Sequence, residues 1–198
     1  VLPLPQITLE ENATIRLGST HKVAKLSQKT LLLWSRVLVT YPEVEILIIR
    51  DHLVSSSEER IRGFMMEMGV KAHQIIFLSD IPTGSFLQIY NSFDILLDTL
   101  HWSGHITACN ALSMGVPVVT MYGDNSAGRM VSSLLQTMGN SDWVASSEQE
   151  YINIIGQLIV EKRTHSVRQK FRQKFLSSAV CDGANFTNEL LQIIKQCL

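Results

Sequence analysis

The sequence predicts a doubly wound α/β domain built on a parallel sheet, and three features carry that prediction. Short apolar segments alternate with helical runs from about residue 13 to the end of the chain, the rhythm of right-handed βαβ crossovers. One segment, Val44–Ile49, is apolar almost throughout, as strands covered on both faces tend to be. Glycines stand where three helical runs stop, at Gly69, Gly115 and Gly139, the position where a left-handed residue ends a helix.

Taken in order, residues 1–12 contain prolines and no periodicity, and read as an extended lead-in. A short strand is expected over Ala13–Gly18. Ser27 should cap a helix whose apolar positions Leu31, Leu32, Trp34 and Leu38 keep helical spacing as far as Tyr41-Pro42. After the Val44–Ile49 strand come a helix over Ser57–Met68, a strand over Gln74–Leu78 and a short helix near Ser85–Ser92. Asp94–Asp98 is a strand, His105–Met114 a helix, Val116–Met121 a strand and Ser126–Met138 a helix. A short strand near Trp143–Ala145 precedes helices near Glu148–Glu161, His165–Leu176 and Asn185–Leu198. The expected division is a lead-in (1–12), one Rossmann-like domain (13–182) and a C-terminal helix (183–198). In such sheets ligands bind beyond the carboxyl ends of the strands, which directs attention to the loops after Leu78, Asp98 and Met121.

Composition narrows the function classes. With 198 residues the chain can bury one sizeable core, and 45% hydrophobic against 18% charged residues excludes a disordered chain. A net charge of −1 argues against a nucleic-acid-binding module. No apolar run approaches the roughly 18 residues of a membrane span. Cys109, Cys181 and Cys197 lie far apart without CxxC spacing, the usage of a reduced cytoplasmic protein. The chain opens on Val1 rather than Met, so a partner domain outside it has to be considered.

The stretch richest in chemistry is Asp94–Gly123, DILLDTLHWSGHITACNALSMGVPVVTMYG. A strand ends at Asp98, a loop turns at Gly104 and a helix starts near His105. The start of that helix offers unpaired backbone N–H groups and a partial positive charge, a ready phosphate site. Ser103 and Thr107 can add hydroxyl donors, and Gly104 lets an anion approach the backbone. Asn110, three residues after Thr107, shares its helix face and can reach a ribose hydroxyl. His101 and His105 are four apart, but Gly104 between them interrupts a shared helical face, so no metal site is expected.

This segment resembles the SPINDLY and O-GlcNAc transferase family of protein O-glycosyltransferases, whose bacterial members read approximately D-x-x-L-D-x-x-P-x-x-G-x-T-T-T-C-E-A-L-x-M-G-V-P-V-V-T. The likeness extends to Leu17–Ser27 (LGSTHKVAKLS), Ala127–Leu135 (AGRMVSSLL) and Ser178–Asp182 (SAVCD). The resemblance implies the second, donor-binding Rossmann domain of a two-Rossmann (GT-B) glycosyltransferase, with helical TPR repeats and a first Rossmann domain lying upstream. It implies metal-independent transfer of a sugar, GlcNAc foremost, from a UDP- or GDP-sugar to a protein Ser or Thr hydroxyl, with no further cofactor. It also implies that the last helix packs back towards the missing domain.

By position, Lys25 matches the family lysine that contacts the donor diphosphate, where a fixed ammonium stabilises the charge on the leaving phosphate. His105 falls at a phosphate-loop histidine and Arg129 at a family arginine. Phe86 stands where those enzymes carry a base-contacting histidine, and Ile81 with Pro82 would run along the base edge. Ser103, Gly104, Ile106 and Thr107 make up the phosphate loop. Four departures stand out: Asn110 replaces the acidic residue for the ribose, Ile106 replaces a hydroxyl, Lys22 an amide and Leu100 a proline. Two alternatives stay open: a non-catalytic nucleotide-sugar-binding or interaction domain, favoured by Asn110 and Ile106, and a transferase of the same architecture acting on carbohydrate or lipid.

Overall fold

The computed structural model describes residues 3–9, 14–50, 52–79, 86–161 and 164–197. Six parallel strands form the sheet: β1 (Arg16–Ser19), β2 (Glu45–Ile49), β3 (Ile75–Leu78), β4 (Ile95–Leu97), β5 (Val118–Met121) and β6 (Val144–Ala145). Their order is β3-β2-β1-β4-β5-β6, so the doubly wound α/β prediction is met. From β1 the chain winds one way to β2 and β3, then returns to β4 on the other side of β1 and winds the opposite way. Because such crossovers are right-handed, the reversal sends the helices of the two halves to opposite faces. Helix α1 (Gln28–Thr40) accordingly packs on α2 (Ser55–Glu67), whereas α3 (Ile106–Ser113) packs on α6 (His165–Leu176).

Local chemistry sets the helix ends. Ser27 Oγ accepts from the Thr30 amide at 3.2 Å, the cap expected for α1. Ser147, Thr164 and Asp182 cap α5 (Glu148–Val160), α6 and α7 (Gly183–Gln196) in the same manner. Gly69, Gly115 and Gly139 all hold positive φ, as expected of helix stops. The core is continuous across the sheet, with Trp34, Tyr90, Phe93 and Tyr151 all fully buried.

Three expected elements differ. The helix near Ser85–Ser92 is a single 3₁₀ turn over Gln88–Ser92, with 80–85 outside the described residues. The helix over Ser126–Met138 is a 3₁₀ turn, Ala127–Arg129, followed by α4 (Met130–Thr137). Here Asn125 Oδ1 accepts from the Gly128 amide at 2.8 Å and Gly123 packs backbone to backbone on Gly128, which holds the first turn tight. Gln74 is not in β3: its side-chain amide reaches back to the carbonyls of Leu38 and Val44 at 3.1 and 3.0 Å, tying the end of α1 to the start of β2.

Gly115 and Gly63 should respond oppositely to alanine. A Cβ on Gly115 (φ 71°) would lie 2.2 Å from the Arg168 carbonyl oxygen, whereas one on Gly63, inside α2, meets nothing within 4 Å. Gly115→Ala is expected to lose about 2 kcal/mol or more. Gly63→Ala should gain about 0.5–1 kcal/mol. Urea unfolding midpoints of the two variants test the contrast, and a Gly115→Ala midpoint equal to wild type would refute the packing argument.

Candidate functional site

The reversal of winding opens a crevice at the carboxyl ends of β1 and β4, which are neighbours in the sheet. Two loops rise there, Thr20–Ser27 after β1 and Asp98–His105 after β4. Asp98 is the residue at which the second loop leaves the sheet, and it is buried. Its carboxylate accepts from Ser103 Oγ at 2.5 Å, from the Gly104 amide at 2.6 Å and from Thr120 Oγ1 at 2.7 Å. His21, equally buried, places Nε2 3.4 Å from Asp98 Oδ1, an electrostatic contact without hydrogen-bond alignment. The other ring nitrogen of His21 meets Ser19 Oγ at 3.1 Å.

Burial acts to raise the Asp98 pKa. The neighbouring His21, the Ser103 hydroxyl and the Gly104 amide together outweigh it and hold the carboxyl below the usual range. A folded-state pKa below the unfolded one means the stabilisation is in place above about pH 4 and is lost as pH falls through the depressed value.

Lys25 closes the crevice from the β1 side. It ends a 3₁₀ turn over Val23–Lys25, and its Nζ donates to the Ser103 carbonyl at 3.0 Å, joining segments 78 residues apart. The same ammonium lies 4.9 Å from the centroid of the Trp102 ring. Partial burial lowers the Lys25 pKa, the negative charge of Asp98 opposes that, and Lys22 adds to the lowering.

Beside Lys25 lies the start of α3. His105 is its first flanking residue and is exposed; the helix has no side-chain cap and no acidic residue in its first turn. The positive end of this helix is therefore unneutralised from within. Ile106 is 72% exposed at that end, while Thr107 and Asn110 are half-buried. Tyr90, fully buried, hydrogen-bonds Thr20 Oγ1 at 3.1 Å. Burial raises its pKa, against hydrogen bonds from Thr20 and Asn110, so Asn110 faces this cluster. Phe86 is half-exposed and meets Tyr90 edge-on at 6.0 Å. Arg129 lies half-buried in the turn after β5, and that turn is tied to the β4 loop where the Ser103 amide donates to the Ala127 carbonyl at 3.0 Å. Ile81 and Pro82 lie outside the described residues.

Two sequence expectations need correction. The Ser103 hydroxyl is turned inward: it donates to Asp98 and accepts from the Val131 amide at 3.1 Å, so it braces the loop instead of offering a phosphate donor. Gly104 likewise spends its amide on Asp98, and a Cβ there would lie 2.8 Å from His21 Nε2. Close packing inside the loop therefore requires the glycine. Sequence reasoning assigned no role to Asp98, His21 or Trp102. The signal for Asp98 was available, since an acid directly after three apolar strand residues, Ile95–Leu97, starts at the edge of the core.

A parallel sheet of this order, wound both ways from β1, defines a Rossmann-like domain, and its match to solved glycosyltransferases makes it one of the GT-B type. The chain belongs to glycosyl transferase family 41, whose family model matches residues 5–190. It is 31% identical over 98% of its length to the tomato (Solanum lycopersicum) protein named "Probable UDP-N-acetylglucosamine–peptide N-acetylglucosaminyltransferase SPINDLY", of which it covers 21%. It thus spans about a fifth of the length of such relatives. Among solved structures, an O-GlcNAc transferase of Thermobaculum terrenum superposes with a TM-score of 0.87 at 30% identity, over 98% of this chain and 38% of that one. HepE of Anabaena, solved with UDP and glucose, shares the fold at a TM-score of 0.63 and 13% identity, over 92% of this chain and 48% of that one.

Asp98→Asn should unpair the cluster without changing its volume. At pH 7 the variant is expected to lose about 3 kcal/mol of stability, and the gap to wild type should narrow as pH falls below about 4. Denaturant titrations at pH 7 and pH 3.5 measure both quantities. A gap that stays constant across that range would show that the fold does not lower the Asp98 pKa.

Proposed function

We propose that this chain is the donor-binding half of a metal-independent glycosyltransferase that moves GlcNAc from a nucleoside diphosphate sugar to protein Ser or Thr hydroxyls. One observation carries the reading: the Lys25 ammonium and the uncapped start of α3 converge over the switch point of the sheet. Those are the two kinds of positive group that a diphosphate needs, one a point charge and one a helix end. In transfer, negative charge grows on the departing β-phosphate, and an ammonium already in place stabilises it. His105, exposed at the helix start, can donate to a phosphate oxygen, and Arg129 adds a cation from the neighbouring turn. Thr107 lies in the same first turn, Asn110 serves the ribose, and Phe86 with Ile81 serves the base. The names of the relatives supply the sugar and the peptide acceptor.

Acceptor binding and the base that receives the hydroxyl proton would come from the four fifths of the relatives' length that this chain does not span. The exposed apolar residues of α7, Phe186, Leu190, Leu191, Ile193 and Ile194, suit a helix that packs back on that region.

A non-catalytic nucleotide-sugar-binding or interaction domain is the second reading. Ile106 favours it, since a large apolar side chain stands exposed in the first turn of α3 where the family carries a hydroxyl.

Calorimetry with UDP and GDP tests the donor site. Wild type is expected to bind weakly, Lys25→Met to lose about ten-fold or more, and Asn110→Glu to gain roughly five-fold by accepting charge-assisted hydrogen bonds from ribose hydroxyls. No binding of either nucleotide by wild type at millimolar concentration would reject the donor-site reading. Nucleotide binding by a full-length protein that transfers no sugar to peptides would favour the second reading.

A further inference from the structure

Trp102 is the exposed tryptophan of this chain, 63% accessible where Trp34 and Trp143 are buried. It is not loosely displayed. His101 before it holds a left-handed φ of 67°, a conformation that costs a non-glycine residue about 1 kcal/mol or more. Its own amide donates to the Leu100 carbonyl at 2.9 Å, and its carbonyl accepts from Thr99 Oγ1 at 2.8 Å. The next residue, Ser103, is pinned to Asp98 and to α4. A strained and fully anchored turn thus presents an indole at the mouth of the crevice, and what lies over the ring is the Lys25 ammonium, 4.9 Å from its centroid.

A lysine side chain ends in three rotatable donors on a flexible stem. Hydrogen bonding to the Ser103 carbonyl restrains one of them. The face of an indole, with its negative quadrupole, restrains the charge as a whole without consuming a donor. Between them the two contacts leave donors for a ligand while stopping the stem from swinging into water. We propose that Trp102 is a positioning residue: its ring holds Lys25 where it meets the phosphates of a bound nucleoside diphosphate. The inference rests on Lys25 being a diphosphate contact, as proposed above.

The test is a double-mutant cycle on the affinity of the 198-residue chain for UDP and GDP, combined with one ligand-free measurement. Trp102→Ala is expected to weaken binding about two- to five-fold, the worth of a partly exposed cation–π pair. Trp102→Phe, which keeps an aromatic face, should recover most of that. Added to Lys25→Met, Trp102→Ala should change nothing further. In the free chain the Lys25 ε-methylene protons should resonate upfield from the indole ring current, and the shift should vanish in Trp102→Ala. An equal loss from Trp102→Ala in the Lys25→Met background would mean that the ring contacts the ligand itself, and would overturn the proposal. So would the absence of the upfield shift in wild type. Wild type that binds neither nucleotide removes the donor-site reading and Trp102's role with it, whereas binding without coupling overturns the role of Trp102 alone.

Discussion

Asp98 is a carboxylate taken out of water at the point where the chain leaves the sheet. An isolated charge in that position would cost several kcal/mol, and the chain can keep it only by gathering donors around it. The donors it gathers are the Ser103 hydroxyl, the Gly104 amide and the Thr120 hydroxyl, with the His21 ring alongside. Satisfying them bends Thr99–Gly104 back over the strand end. That bend delivers the Ser103 carbonyl to Lys25 and sets where α3 begins. Thr120 stands on β5 and His21 follows β1, so one buried charge registers three strand ends of the sheet against each other.

The sheet decides where this can happen. A crevice exists between β1 and β4 because the winding reverses there, and reversal with fixed handedness sends the helices to opposite faces. Within each half, consecutive crossovers place their helices on one face, as α1 and α2 lie side by side. The positive groups of the site come from loops on the two sides of that crevice. Lys25 belongs to the first half of the fold and the start of α3 to the second, so neither half alone holds the pair.

Much of this was legible in the sequence, and the parts that were not depend on which particular atoms come into contact. Helix caps and stops depend on one residue and its near neighbours, which is why Ser27, Gly69, Gly115 and Gly139 read correctly. Parallel order follows from alternating periods and the crossover rule. The misreadings at Gln74 and Ser103 involve contacts distant in sequence, whereas the broken helix turns on a close approach of two glycines five residues apart. Gln74 is drawn out of a strand by carbonyls at Leu38 and Val44. The Ser126–Met138 helix breaks in two around the Gly123–Gly128 contact. The inward turn of Ser103 depends on Asp98 and Val131 together. A motif marks which residues gather at a site, but which of their groups face the ligand is settled by partners that the motif does not contain.

The same loop sets the electrostatics of the half-buried Lys25. Burial favours the neutral amine, and Lys22 pushes in the same direction. Asp98 pulls the other way. Its contacts with His21, Ser103 and Gly104 hold its carboxyl below the usual range against burial, which favours the charged form that exerts this pull. The Ser103 carbonyl and the Trp102 face are further electron-rich groups set against the ammonium. The inner shell of the loop therefore has two effects from one charge: it shapes the turn, and it favours the ammonium form of Lys25. The ammonium is thereby held in place next to a helix end that has no acidic residue in its first turn.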